Sequence, residues 1–582
     1  MQQSTLAPPC NSAQSINART VAETYLALLK DRGVDNLYVG AGTDTAPVVE
    51  AYARAKESGL EFPTPIVAAH ENLAVGMAHG YYMVSGKAQA VMLHVTVGAA
   101  NAVCALMNAA RARVPMFFTA GRTPLYESGR VGSRTSEIHW AQEMYDQAGM
   151  VREIVKWDYE LRDGINVEQI VDRGLNIAMT EPRGPVYLTL PREVLCMPAT
   201  GHVMGKGPAV PSSAWPSQSS VQTLASKIAS AKFPVIVASL SGSDSETVGM
   251  LATLCDKFAI GVVEAKMTRY LNIPSNHDLH LGHNIPQVMK NADTLLFLES
   301  DVPWVQQHAT PRDGAFIAHA GTDPIFVNYP VRCFPSDLSI TTSIGALLPA
   351  LSAELEAIGA DLNASERRER LLTEANKWRA HVKASIAQDE ERGGPITKTF
   401  MSRCLDAVRP RDGIVVNEYS LIREVMTFDQ PGSFFTLPSA GGLGWGVPAA
   451  LGAKQAAPDR TVIAVVGDGA YIFANPAACH QAAEMHGLPI VIVVYNNEGW
   501  DAVQLATLDI YPDQSTAELK RTHGTSPLAS LKPVPDFEQY CRASNGHGER
   551  VTKREDLLAA LERAIAVTQN EKRVALVNVI GV

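Results

Sequence analysis

Residues 465–500, VVGDGAYIFANPAACHQAAEMHGLPIVIVVYNNEGW, place an aspartate between two glycines and, one helix later, two adjacent asparagines. These residue types suit a metal diphosphate. Gly467 and Gly469 let backbone amides approach phosphate oxygens. A carboxylate at Asp468, an amide oxygen at Asn497 and a backbone carbonyl suit an oxygen-seeking Mg²⁺ that keeps its phosphate ligands. Either fragment alone reads as an ordinary turn. The pair, about 30 residues apart at the ends of consecutive strands, points to one site.

The elements that position these residues are legible around them. RTVIAVVGDG is predicted to be a buried parallel strand ending in a tight turn, and LPIVIVVYNN the next strand. Between them, Asn475-Pro476 opens a helix, with Asn475 as side-chain N-cap and Pro476 at the first helical position. In a doubly wound sheet both strand ends face the crevice beyond the carboxyl edge, which brings Asp468 and Asn497 together. The same strand-helix alternation recurs in TPIVAAHE, AQAVMLHV and VPMFFTAG, and again in FPVIVASLSG, ADTLLFLES and DPIFVNYP. The fold class is α/β, with three doubly wound parallel-sheet domains. They are expected at 14–198, 212–352 and 395–582, with a Pro/Ser/Gly-rich linker after the first and a charged helical linker at 353–394.

The bulk properties narrow the function. A chain of 582 residues is too long for one core. Fifty basic against sixty acidic residues give a net charge of -10, without the basic excess that binds nucleic acid. No apolar run reaches the roughly 20 residues that cross a bilayer. The polar N-terminal MQQSTLAPPCNSAQSINART is expected to be a loose leader on a cytoplasmic protein. The eight cysteines show no C-x-x-C pair and are expected to be reduced, mostly buried thiols.

The G-D-G and N-N spacing resembles the cofactor motif of thiamine-diphosphate (ThDP) enzymes. The resemblance covers nearly the whole chain and is nearest to the benzoylformate decarboxylase group, with acetolactate synthases next. It implies that the first domain binds the pyrimidine of ThDP and the third its diphosphate. Asp468, Asn497 and the carbonyl of Gly499 would be the Mg²⁺ ligands, with Gly467, Gly469 and Ala470 against the diphosphate. In PIVAAHENLAVGMAHGYY, Glu71 stands where the family has its catalytic glutamate, at the pyrimidine ring nitrogen. FTLPSAGGLGWGVPAALGA matches the loop beneath the cofactor: Leu443 would enforce the bent conformation, and the Gly441 carbonyl would accept from the aminopyrimidine. His94 in LHVTVGAANA, 23 positions after Glu71, is similar to a family histidine that donates and accepts protons. Thr43 in VGAGTDTAP replaces a serine that contacts the substrate carboxylate, and Ser420 in VNEYSLIREVM corresponds to a cofactor-holding position.

Some positions depart from the family pattern. A second family histidine aligns near Gln306 or Gln307, with His308 shifted along. Ala502, Val503 and Ala506 stand where the decarboxylase has substrate-lining residues, one of them a Phe, and would widen the pocket. The segment ESGRVGSRTSEIHWAQEMYDQ is longer and more polar than its counterpart. His139, Trp140 and Gln142 in it are expected on an exposed helix, the alternative being that they overhang the site. ASLSGSD in the central domain does not recommend FAD. The resemblance implies a 2-oxo acid decarboxylase working through a C2 carbanion and enamine, in a homodimer or homotetramer with sites at subunit interfaces. The alternatives are an acetolactate synthase-like carboligase and a non-catalytic ThDP-binding regulatory protein.

Overall fold

The computed structural model describes residues 14–15, 17–199, 203–265, 268–360 and 364–582, so the expected leader falls largely outside it. Strand β1 (Gln14–Ser15) precedes a first sheet of β2 (Asn36–Val39), β3 (Thr64–Val67), β4 (Gln89–Leu93), β5 (Met116–Arg122), β6 (Asp158–Glu160) and β7 (Val186–Pro191). β8 (Val203–Met204) follows and pairs antiparallel with β1. The central sheet holds β9 (Pro234–Ala238), β10 (Gly261–Glu264), β11 (Thr294–Leu298), β12 (Phe316–Gly321) and β13 (Leu338–Thr341). The third holds β14 (Ile414–Glu418), β15 (Phe434–Thr436), β16 (Val462–Gly467), β17 (Val491–Asn496), β18 (His547–Val551) and β19 (Ala575–Ile580).

The strand orders are β3-β2-β4-β5-β7-β6, β10-β9-β11-β12-β13 and β15-β14-β16-β17-β19-β18. Every pairing within these three sheets is parallel, as the apolar runs predict. Numbered within each sheet, the first and third orders are the same, so their carboxyl edges present equivalent crevices. The Ala364–Arg392 helix leads from the central region into the third.

The first and third domains are joined by two helices that meet at small residues. The Glu71–Ser85 helix packs on the Gly446–Ala456 helix so closely that a Cβ on Gly80 would lie 1.9 Å from the Ala449 carbonyl. The resulting core is continuous, from Leu73 and Ala74 to Val447 and Ala450. A larger side chain at Gly80 would force the helices apart.

Two local expectations are corrected. β16 does not end in a tight turn: the Asp468–Phe473 helix starts at Asp468 itself. Asn475 does not cap the next helix with its side chain. It sits at φ 55°, ψ 67°, in the left-handed region that Asn tolerates, and its Nδ2 lies 3.1 Å from His70 Nε2. Pro476 does take the first helical position. Of the described cysteines, all free, Cys255, Cys404, Cys479 and Cys541 are buried, whereas Cys104 and Cys333 are exposed. Among the described residues no helix is long and apolar enough to cross a membrane.

Candidate active site

At the carboxyl edge of the third sheet, Asp468 is 2 % exposed. Its Oδ1 accepts from Gly469 N at 2.7 Å and its Oδ2 from Gly499 N at 3.2 Å, so the carboxylate ties the β16 end to the turn after β17. Burial pushes its carboxyl above the usual range against these two amide bonds, an electrostatic strain that a bound cation would relieve. Asn497 Nδ2 donates to Asp501 Oδ1 at 2.6 Å, which leaves its amide oxygen as the atom that could face a cation. Carboxylate, amide oxygen and carbonyl make an all-oxygen donor set that fits Mg²⁺. Ser420 is buried, and its Oγ lies 3.5 Å from where a Gly467 Cβ would stand; Ala470 is buried one turn along. A Cβ on Gly469 would sit 2.1 Å from the Trp500 ring, so only glycine fits there.

The loop 438–445 leans on this turn. Gly441 and Gly444 have φ of 67° and 84°, and a Gly444 Cβ would come within 2.4 Å of the Phe473 carbonyl. Asn108 from the first domain brackets Gly442, donating to its carbonyl at 2.8 Å and accepting from its N–H at 3.1 Å. Leu443 is half-buried against the joint core. Glu418, fully buried at the end of β14, accepts from Gly444 N at 2.8 Å and Gly446 N at 2.7 Å, and burial raises its carboxyl to about 7. Sequence reasoning missed Glu418 and Asn108. An acid ending an apolar strand carries no periodic signal, and Asn108 lies 334 residues from its partner.

The first sheet supplies a second group. Glu71 opens its helix after the His70 cap, and its Oε2 accepts from Asn101 Nδ2 at 2.6 Å. His94 follows β4, with Nδ1 against Asp44 Oδ1 in a short contact. Asp44 Oδ2 also accepts from Val95 N at 3.3 Å, and Val95 has φ 31°, a strained value for a β-branched residue. The Asp44 hydrogen bond raises the His94 pKa, opposed by burial and helped by the charges of Asp44 and Glu71. A Gly121 Cβ would fall 1.7 Å from Asp44 Oδ2, so that glycine makes room for the carboxylate. Thr43 is exposed at the start of a short 3-10 turn, its carbonyl 3.5 Å from Arg192 Nη1.

The Ile138–Ala141 helix is exposed, as expected, at Ile138, Trp140 and Ala141, but His139 on it and Gln142 just after it turn inward. His139 is 4 % exposed, and Gln142 Nε2 stands 3.2 Å from His94 Nε2; Trp140, by contrast, is exposed under the Arg134 guanidinium. Arg134 ties this helix down through the His139 carbonyl and Glu143.

Other expected pocket residues are not brought in within one chain. Ala502, Val503 and Ala506 lie exposed on the Asp501–Ile510 helix. His308 is exposed, and Gln306 Nε2 donates to the Cys333 carbonyl at 3.3 Å. The first and third domains of one chain meet at His70–Asn475 and at Asn108–Gly442.

Comparison with known proteins identifies the two outer domains. The thiamine pyrophosphate enzyme N-terminal TPP binding domain matches residues 19–150, and the C-terminal TPP binding domain matches residues 418–579. A benzoylformate decarboxylase of Pseudomonas aeruginosa is 26% identical over 569 residues, covering 94% of this chain and 97% of that protein. The acetolactate synthase large subunit of Lactococcus lactis is 26% identical, covering 83% of this chain and 81% of that protein. A benzoylformate decarboxylase structure from Polynucleobacter necessarius superposes with a TM-score of 0.78 at 19% identity, covering 97% of this chain and 98% of that one. The 4-hydroxybenzoylformate decarboxylase of Rhodococcus jostii RHA1 gives 0.75 at 21%, covering 97% and 99%. The protein is a ThDP-dependent enzyme of carbon–carbon bond cleavage or formation, and Mg²⁺ is the usual partner metal of such enzymes. On two matched domains and a shared three-sheet architecture, the chain belongs to the thiamine pyrophosphate enzyme family.

Proposed function

We propose that the protein is a ThDP- and Mg²⁺-dependent 2-oxo acid decarboxylase of the benzoylformate decarboxylase kind. The observation that carries this reading is the Asp44–His94 pair next to Glu71, an acid-base group on a different domain from the Asp468 turn. Asp468, Asn497 and the Gly499 carbonyl would hold Mg²⁺, Gly467, Gly469, Ala470 and Ser420 would face the diphosphate, and Gly441 and Leu443 the ring system. When bound, the cofactor accepts the electron pair released as the bond to the substrate carboxylate breaks.

The chain's own residues hold the substrate and move protons. Glu71 exchanges a proton with the aminopyrimidine ring nitrogen. The Thr43 hydroxyl holds the substrate carboxylate. His94 Nε2 delivers and recovers the proton at the product carbon and carbonyl oxygen, a task suited to an imidazole whose charged form Asp44 favours. Because members of the family are generally oligomeric, we place the complete site between two copies, in a dimer or tetramer.

The test is product analysis after incubation with pyruvate or benzoylformate, with and without an acceptor aldehyde. Aldehyde and CO₂ are expected. Acyloin or acetohydroxy acid would instead establish carboligation, the second reading, which the change of the second histidine to Gln306 or Gln307 favours by removing one proton donor. Turnover of any 2-oxo acid excludes a non-catalytic regulatory protein.

A further inference from the structure

The three groups proposed for the metal are not held equally. Asp468 is fixed at both oxygens, by the Gly469 and Gly499 amides. The Gly499 carbonyl belongs to a backbone that residues 529–531 clamp on either side: Trp500 N donates to the Ala529 carbonyl at 2.8 Å, and Leu531 N to the Glu498 carbonyl at 2.9 Å. The Asn497 amide, by contrast, turns about its own side-chain bonds. Among the described residues its one hydrogen bond goes to Asp501 Oδ1, at 2.6 Å.

That bond decides which end of the amide faces which way. The Asp501 carboxylate has no hydrogen to give, so only the NH₂ end of Asn497 can face it, and the amide oxygen is turned the other way. Asp501 is itself pinned at its second oxygen, where Lys398 Nζ donates to Oδ2 at 2.9 Å. The Lys398 charge in turn sits 5.3 Å from the centre of the Tyr495 ring at the end of β17. Asp501 also opens the Asp501–Ile510 helix, where a negative charge is favoured. Both Asn497 and Asp501 are half-buried, so the pair is reached from solvent. An ion pair as exposed as Asp501–Lys398 adds little to folding. Its effect is to hold the carboxylate in one orientation.

We infer that Asp501 is the positioning residue of the metal centre and keeps the Asn497 oxygen aimed at Mg²⁺, an inference that rests on the ThDP–Mg²⁺ reading of the Asp468 turn. The same device biases the choice of ion. Mg²⁺ demands ligands close to octahedral directions, whereas Ca²⁺ accepts irregular oxygen sets, so an Asn497 amide free to swing penalises Mg²⁺ more than Ca²⁺.

The experiment titrates Mg²⁺ and, separately, Ca²⁺ into the full-length protein with saturating ThDP, read by calorimetry, and records the melting temperature of the metal-free protein. Asp501→Ala should weaken Mg²⁺ binding about tenfold and Ca²⁺ binding less, so the ratio of Mg²⁺ to Ca²⁺ affinity falls. Asp501→Asn keeps an acceptor oxygen for the Asn497 NH₂ and should stay within about threefold of wild type for both ions. The metal-free melting temperature of both variants should be that of wild type. Equal Mg²⁺ affinity in Asp501→Ala and wild type would overturn the inference. An equal loss in both variants and for both ions would overturn it too, marking Asp501 as a remote charge. A lower melting temperature with the affinity ratio intact would leave Asp501 a helix-start acid. Wild-type protein that binds ThDP without any divalent ion, or binds no ThDP, would overturn the metal reading itself and the inference with it.

Discussion

The carboxylate of Asp44, 2 % exposed, grips Nδ1 of His94 and leaves Nε2 as the nitrogen available to other groups. In this pairing Asp44 fixes the tautomer of the imidazole and favours its charged form. The strained Val95 backbone, whose N–H also bonds Asp44, holds the geometry in place.

Asp44→Asn should therefore lower the His94 pKa and cut kcat by about ten- to a hundredfold, with a smaller effect on KM. The sign of the stability effect follows from linkage. His94 is raised from 6.5 by the Asp44 bond, so the pair's contribution is fully present below that value and is lost as pH rises through the higher folded value. The variant should be most destabilised in acid and approach wild type in alkaline buffer. Denaturant melts across this range, with the acidic limb of the kcat profile, check both.

Glu71→Gln should keep the fold, because an amide oxygen can still accept from Asn101 Nδ2. It should also keep the metal-diphosphate turn, which Glu71 does not touch. Turnover should fall by about a hundredfold or more, since an amide cannot exchange a proton with the ring nitrogen. Cofactor affinity by calorimetry and steady-state rates separate these outcomes. Undiminished rates would return Glu71 to a helix-start role.

The Asp468 turn makes a prediction about stability alone. ThDP with Mg²⁺ should raise the melting temperature, by about 2.7 kcal/mol of stabilisation at one hundred times Kd. Chelation by EDTA or the Asp468→Asn exchange should abolish the gain. NAD or ATP with Mg²⁺ should give none, and a gain with either would reassign the crevice.

Much of this site was legible from local signals. Asp468, Asn497 and Gly499 are joined by the geometry of consecutive parallel strands, and Glu71 and His94 follow strands whose apolar runs are plain in the sequence. What the sequence concealed depends on contacts between distant segments. Asp44 becomes important only because His94 folds against it from 50 residues away, and Asn475 turns from cap to interdomain contact because His70 arrives from 405 residues away. His139 and Gln142 look like any polar helix until their turn lies over His94. Ala502, Val503 and Ala506, which only the family resemblance implies, remain exposed in a single chain.

Glu418 offers the sharpest pH test. Its two oxygens each accept one amide hydrogen, from Gly444 and Gly446, and so set the loop that carries Leu443. Burial raises its carboxyl from 4.5 to about 7, although the amide bonds pull the other way. A raised folded value means a contribution fully present below about 4.5 that is lost as pH rises through about 7. Wild-type stability should therefore carry a downward component across that interval. Glu418→Gln removes the ionisation and with it this component, but its single oxygen can accept only one of the two amides, while its NH₂ faces the other. The variant should be less stable by about 1–3 kcal/mol in mild acid. The gap should narrow toward pH 8, where the wild type must hold a buried charge. Urea melts of both proteins at several pH values measure this convergence directly. Parallel curves would mean that Glu418 keeps its charge throughout, held by the Gly444 and Gly446 amides against the cost of burial.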